Sequence, residues 1–217
     1  MMVTQRVTSG GVGVNVLSEQ SRSIERRVYR KTKRADHEME TAARIVDATE
    51  TLHGTLGPAR TTVSAIAETA GVTRATVYRH FPDDESLFFA CSNQWMARQR
   101  LPDPEAWCRH TNPTLRLRAG LADIYRYYRD GGQMIALIHR DVEVVPPPVV
   151  ARRRAAERRW LDALLQPWPG RHNSTVRAAV SHAAAFTTWQ SLCPTQGLSN
   201  RAAVNLMVAM VTIVSGD

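Results

Sequence analysis

Nineteen residues constrain the fold of this chain more than any other stretch. From Val63 to Phe81 they read VSAIAETAGVTRATVYRHF. Small Ala67 allows two helices to cross closely, Gly71 permits a left-handed turn, and Val72 and Val77 lock the second helix onto the first. Thr61 or Thr62 can cap the first helix, which carries Val63, Ile66, Ala67 and Ala70, and Thr73 can cap the second, Arg74 to Phe81. This is helix-turn-helix grammar. The second helix then turns Thr73, Arg74, Ala75, Thr76, Tyr78, Arg79 and His80 outward, with Val77 and Phe81 inward.

No stretch of the 217 residues sustains an apolar/polar alternation, whereas spacings of three and four recur from Asp36 to the end. The expected fold is all-α. A first helix, marked by Met39, Ala42, Ile45, Val46, Thr49 and Leu52, stops near Gly54, Gly57 and Pro58. Beyond the motif, Pro82 and Asp83 open a helix from about Asp84 to Arg100. Others are expected over 114–130, 133–142, 149–165, 174–192 and 199–214, separated by Pro113, Gly131–Gly132, Pro146–Pro148, Pro167–Gly170, Pro194 and Gly197.

Hydrophobic residues make up 43% of the chain and charged residues 22%, so wholesale disorder and coiled-coil composition are excluded. Ala202 to Val214 is the longest near-apolar run, interrupted by Asn205, and is shorter than the roughly 20 residues of a membrane span. No membrane partner is expected. The first twenty residues hold no signal-type apolar block. Cys91, Cys108 and Cys193 form no Cys-x-x-Cys pair, so a reducing, cytoplasmic location is expected. Neither a metal nor a cofactor is indicated: Cys108 and His110 lack a second ligand pair at metal spacing. His-Glu-x-x-His, a phosphate-binding glycine loop and a Gly-x-Ser-x-Gly elbow are absent, which argues against an enzyme.

The formal net charge is +8, and Gln20 to Arg34 carries seven cations (Arg22, Arg26, Arg27, Arg30, Lys31, Lys33, Arg34) against Glu25 alone. This basic arm directly precedes the motif and is expected to attract a polyanion. A second cluster, Arg152, Arg153, Arg154, Arg158 and Arg159, is expected to be a solvated helix face. A polar helix N-terminus fits the major groove of B-DNA, where an arginine bonds guanine and a threonine methyl touches thymine. Arg74 is the candidate base reader, and small Ala75 permits close approach. Thr62, Tyr78 and His80 are candidates for phosphate contacts that fix register without reading sequence. A sequence-indifferent architectural nucleic-acid binder is the alternative.

The segment TTVSAIAETAGVTRATVYRHFPDDESLF resembles the DNA-binding segment of the tetracycline-repressor (TetR) family of bacterial transcription regulators. The resemblance implies that Thr61 and Thr62 open the second helix and that Ile66-Ala67 and Ala70-Gly71-Val72 build the turn. Thr73, Thr76, Tyr78 and His80 then occupy DNA-contact positions, while Phe81 and Leu87 are core. Two residues depart from the family pattern. Asp84 stands where a lysine usually meets a phosphate, and Pro58 follows Gly57 where an aromatic residue is common. Acidic residues at a helix N-terminus do suit the helix dipole.

Three parts are expected: a flexible basic arm, 1–35; a three-helix DNA-binding domain, 36–84; and a helical effector-binding and dimerisation domain, 85–217. Half-sites are bound weakly by single units, so a homodimer on a palindromic operator is expected. The last two helices are apolar nearly all round and must be buried in a core or against a partner. Val180, Ala184, Thr187, Val204, Met207, Val208 and Val211 are the candidate interface. By analogy with the family, Trp95, Trp107, Tyr125, Tyr128, Met134, Ile138, His139, Phe186 and Trp189 are candidate lining for a small-molecule effector, and the resemblance implies a ligand-responsive repressor whose effector lowers its affinity for the operator.

Overall fold

A computed structural model describes the backbone of residues 13–169 and 173–216, with side chains from Arg27 onward. Among the described residues every regular element is helical: α1 (Gly13–Thr55), α2 (Val63–Ala70), α3 (Arg74–His80), α4 (Asp84–Ala97), α5 (Pro104–Cys108), α6 (Pro113–Asp130), α7 (Gly132–Arg140), α8 (Pro147–Leu165), α9 (Ser174–Ala184), α10 (Phe186–Gln190) and α11 (Asn200–Ser215). Short 3-10 turns follow α1 and α7, and a π-helical segment, Ser191–Thr195, follows α10. The chain divides into two units, residues 1–44 and 45–217.

The first unit departs from expectation. Residues 13–35 are the start of α1 rather than an unstructured arm. No proline or glycine interrupts the chain between Val14 and His53, so nothing in the sequence stops the helix from propagating. Residues 27–40 are exposed throughout. Thr32 Oγ returns to the Val28 carbonyl at 3.1 Å and Arg34 pairs with Glu38, one helical turn on. Residues 1–12, the rest of the expected arm, lie outside the described residues.

The second unit holds two cores. Ile45, Ala48, Ile66, Ala67, Ala70, Val77 and Leu87 enclose the small one, shared by the end of α1 with α2, α3 and α4. The larger one is built around α6, whose Leu117, Leu121, Ile124 and Tyr125 are fully buried among residues of α8, α9, α10 and α11. Burying each such side chain contributes about 1.5–3 kcal/mol. Gly120 on α6 packs directly against Leu164 and Trp107.

Two further elements differ from the sequence reading. The short α5 has no counterpart in it: Asp103 caps this helix by accepting from Glu105 N–H and Ala106 N–H, and Trp107 anchors it by donating to Asp123 at 3.1 Å. The helix expected over 174–192 is broken at Ala185, which is extended (φ −70, ψ 142). A continuous helix would spend the Ala183 and Ala184 carbonyls on residues 187 and 188. Here they accept instead from the buried hydroxyls of Tyr125 and Tyr128, at 2.8 and 2.9 Å.

The candidate dimer residues also require correction. Val180, Val204, Met207, Val208 and Val211 are buried within this single chain and present nothing to a partner. Ala184 is half-buried and Thr187 exposed. The outward face of α11 carries Leu206, Met210, Ile213 and Val214 instead, with Ile213 78% exposed. Both faces of α11 are apolar, so periodicity does not reveal which one α6 and α9 cover.

Candidate nucleic-acid interface

The turn between α2 and α3 is closed by backbone bonds of the Schellman type. Gly71 is left-handed (φ 65, ψ 39), its N–H reaches the Glu68 carbonyl, and Val72 N–H reaches the Ala67 carbonyl at 2.9 Å. Thr62 caps α2 by accepting from Ala65 N–H at 3.2 Å. Thr73 caps α3 by accepting from Thr76 N–H at 3.1 Å, and the two threonine hydroxyls meet at 2.9 Å. Val77 is 1% exposed and holds α3 onto the small core.

The remaining faces of α3 turn to solvent. Thr73, Arg74, Ala75, Tyr78 and Arg79 are exposed, as is Thr62 at the cap of α2, and Thr76 is half-buried. This places the two arginines, the phenol and the small Ala75 on one accessible surface, the arrangement needed to enter a groove. Two further candidates are less accessible in the free chain. His80 is half-buried, with its Nε2 enclosed and without a hydrogen-bond partner. Thr61 is half-buried and its hydroxyl donates to the Gly57 carbonyl at 2.9 Å.

At the start of α4, Asp83 accepts from Ser86 N–H at 2.7 Å. Hydrogen bonding from Ser86 holds its carboxyl below the usual carboxylate range. Asp84 and Glu85 occupy the first turn, where the helix dipole favours them. Asp84 is exposed, with no basic residue in its place to meet a phosphate.

Sequence reasoning missed how the α1–α2 loop is held. Arg140 and Asp141, at the end of α7, form a two-pronged ion pair at 2.7 and 2.8 Å. Arg140 Nη2 also donates to the Leu56 carbonyl at 2.8 Å, and Asp141 Oδ2 accepts from Ala59 N–H at 3.0 Å. Between those two points lies Gly57 at φ 88, ψ 161, where any side chain would meet both charged groups. Gly57 with Pro58 is thus explained: the loop needs a residue without a Cβ, then a fixed φ, at the place where the pair closes over it. Arg140 holds the Asp141 carboxyl down to about 2. The one signal available beforehand was the missing aromatic residue.

A second set of bonds ties α1 to α4. Gln94 donates to Asp47 and Glu50 at 2.8 and 2.9 Å, and Arg98 donates to Glu50 at 2.9 Å.

The candidate effector residues do not converge on one cavity. Trp95 and Met134 border an open cleft of about 510 Å³ shared with Asp47, Glu50, Arg98 and Asp130. Trp107 and Tyr125 are core, with their polar atoms bonded to Asp123 and the Ala183 carbonyl. Ile138 is half-buried. The others interlock: His139 stacks on Phe186 with ring centres 4.7 Å apart, Tyr128 meets Phe186 edge-on at 5.2 Å, and Trp189 lies 5.5 Å from Phe186. Of the second arginine cluster, Arg154, Arg158 and Arg159 reach solvent, but Arg152 binds Asn93 and Ser92, and Arg153 lies 3.5 Å from Glu157. No helix among the described residues is long and apolar enough to cross a membrane.

A left-handed glycine turn between two capped short helices, set at the head of a larger helical body, defines a helix-turn-helix unit. Residues 45–91 match the family model described as bacterial regulatory proteins, tetR family. The match covers the helix-turn-helix and the helices that flank it, and is a likeness of this segment to the DNA-binding domain of that family. Over 60 residues it is 45% identical to two proteins of Pseudomonas putida, the HTH-type transcriptional regulator TtgR and the probable HTH-type transcriptional regulator ArpR. The matched region spans 28% of this chain and 28% of each relative. The fold resembles a TetR-like transcriptional regulator from a Rhodococcus species, with TM-score 0.58 and 17% identity, covering 82% of this chain and 97% of that one. It also resembles the TetR-family regulator PfmR from Thermus thermophilus, with TM-score 0.51 and 17% identity, covering 79% and 93%.

Proposed function

We propose that this protein is a sequence-specific transcription regulator that binds a palindromic operator as a homodimer and responds to a small molecule held in its helical body. The observation that carries the reading is the solvent-facing surface of α3, where Arg74, Ala75, Tyr78 and Arg79 stand clear of the fold, with Thr62 exposed at the cap of α2. Arg74 reads a base edge, Tyr78 and Thr62 contact phosphates, and the exposed basic residues of α1 from Arg27 to Arg34 add non-specific attraction. Two copies meet through the outward face of α11, whose Leu206, Met210 and Ile213 are exposed in the single chain. The open cleft bordered by Trp95 and Met134 is where an effector would be received.

Selection of bound sites from random duplex DNA tests this directly, because it reports base preference, half-site spacing and dimerisation together. A regulator prefers one palindrome over random duplex by several kcal/mol. Equal affinity for all duplexes, with a steep salt slope, would identify the architectural alternative. Removal of residues 1–34 is expected to flatten the salt dependence, since each lost phosphate contact lowers the slope by about 0.9.

A further inference from the structure

The bonds that fix the α1–α2 loop come from a distant part of the sequence. Arg140 and Asp141 lie more than eighty residues beyond Leu56 and Ala59. Both sit at the end of α7, next to His139, which stacks on Phe186 in the larger core. Their two contacts bracket Gly57, and the chain they hold runs through the turn Pro58–Arg60 directly into Thr62, the cap of α2. The loop is short and satisfied at each step: the Leu56 carbonyl takes Arg140, the Gly57 carbonyl takes Thr61, and Ala59 N–H gives to Asp141. The Asp141 side chain is 6% exposed and that of Arg140 46%, so the carboxylate is enclosed against the loop while the guanidinium closes over it from the solvent side.

We infer that the Arg140–Asp141 pair is a positioning clamp that sets where the DNA-reading head sits on the helical body, and so sets the half-site spacing the dimer accepts. The inference rests on the DNA-binding reading above. The pair touches no exposed residue of α3 and reads no base. It acts through the loop, whose glycine leaves no slack between the two charged groups and the main chain. The pair also makes α7 a nine-residue rod joined at its end to the head and, through His139, to the aromatic group. Displacement of that group would therefore be delivered to the loop.

The test compares the intact protein with Asp141→Ala and Asp141→Asn. Three readouts are needed: affinity for the best selected site, affinity for versions of that site with one base pair inserted or removed at its centre, and hydrogen exchange over residues 56–62. Asp141→Ala is expected to keep its helical circular dichroism, exchange at least tenfold faster over the loop, and lose tenfold or more in affinity at the native spacing. The loss at altered spacing should be smaller, so the spacing preference flattens. Asp141→Asn keeps an oxygen that accepts from Ala59 N–H and should recover part of both effects. Unchanged exchange and unchanged spacing preference in Asp141→Ala would overturn the clamp. So would an affinity loss equal at every spacing that follows a lowered unfolding midpoint, the signature of a merely structural pair. If the unaltered protein selects no site, the DNA-binding reading fails instead, and the exchange measurement still reports whether the pair holds the loop.

Discussion

The Tyr128 hydroxyl donates to the Ala184 main-chain carbonyl at 2.9 Å. One turn earlier on α6, Tyr125 does the same for Ala183. The two phenols take over carbonyls that a continuous helix would have used, which allows the chain to kink at Ala185 and swing Phe186 and Trp189 inward. Burial raises the pKa of both phenols, so they remain protonated donors.

Tyr128→Phe removes one of these donors while preserving the ring that packs on Phe186. The enclosed Ala184 carbonyl loses its partner, and a loss of about 1–2 kcal/mol is expected in urea denaturation. An unchanged midpoint would mean that water replaces the hydroxyl without cost.

Acid should weaken the fold in two stages. Burial lowers His53 to about 4, against an opposing pull from Asp141; burial and the Arg153 charge lower His139 to about 4. Both titrate near 6.5 when unfolded, so between about pH 6.5 and 4 the unfolded chain binds more protons and stability drops as the pH is lowered. The loss is about 2–3 kcal/mol for enclosed His53 and less for half-buried His139. Below pH 4, protonation of Asp141 removes the stability its depressed pKa contributes. Denaturation midpoints at pH 7 and 4.5 measure the first stage, and His53→Gln should flatten it. An equal slope in that variant would place the acid sensitivity elsewhere.

Arg74→Ala should relax base preference at one operator position and cost about 1–3 kcal/mol on the selected site, with less effect on random duplex. Tyr78→Phe should weaken all duplexes alike. A binding titration on both DNAs separates the roles. Equal losses in the arginine variant would remove it from base reading.

Leu206→Glu with Met210→Glu should convert the proposed dimer to a folded monomer in sedimentation equilibrium and lower operator affinity with it. Both positions are at least 42% exposed in one chain, so the charges are tolerated without a partner. Val208→Asp makes the contrast: at 2% exposure the charge has no water, and unfolding is expected. A Leu206/Met210 variant that stays dimeric would move the interface to another face.

Local chemistry made much of this fold legible. The caps at Thr62, Thr73 and Asp83, the left-handed Gly71 and the inward Val77 are decided within a few residues, and each stands where the pattern of threonines, glycine and valines required. The same holds for the proline-started helices α6 and α8 and for α11, capped by Ser199, whose starts lie within two residues of expectation. The unbroken extension of α1 was also implicit in a run without glycine or proline.

What the tertiary structure decided was every choice that local sequence leaves balanced. The faces of α11 are alike in hydrophobicity, so only contact with α6 and α9 determined that Val204, Met207, Val208 and Val211 turn inward while Leu206 and Met210 turn out. Ala185 carries no breaking signal; the kink exists because two tyrosines from another helix compete for its neighbours' carbonyls. The loop after α1 is likewise closed by Arg140 and Asp141, whose pairing with Leu56 and Ala59 depends on how separate helices pack. Periodicity and capping act over one turn, whereas partner choice for a charge, a hydroxyl or an apolar face is settled by whichever group the folded chain brings within bonding distance.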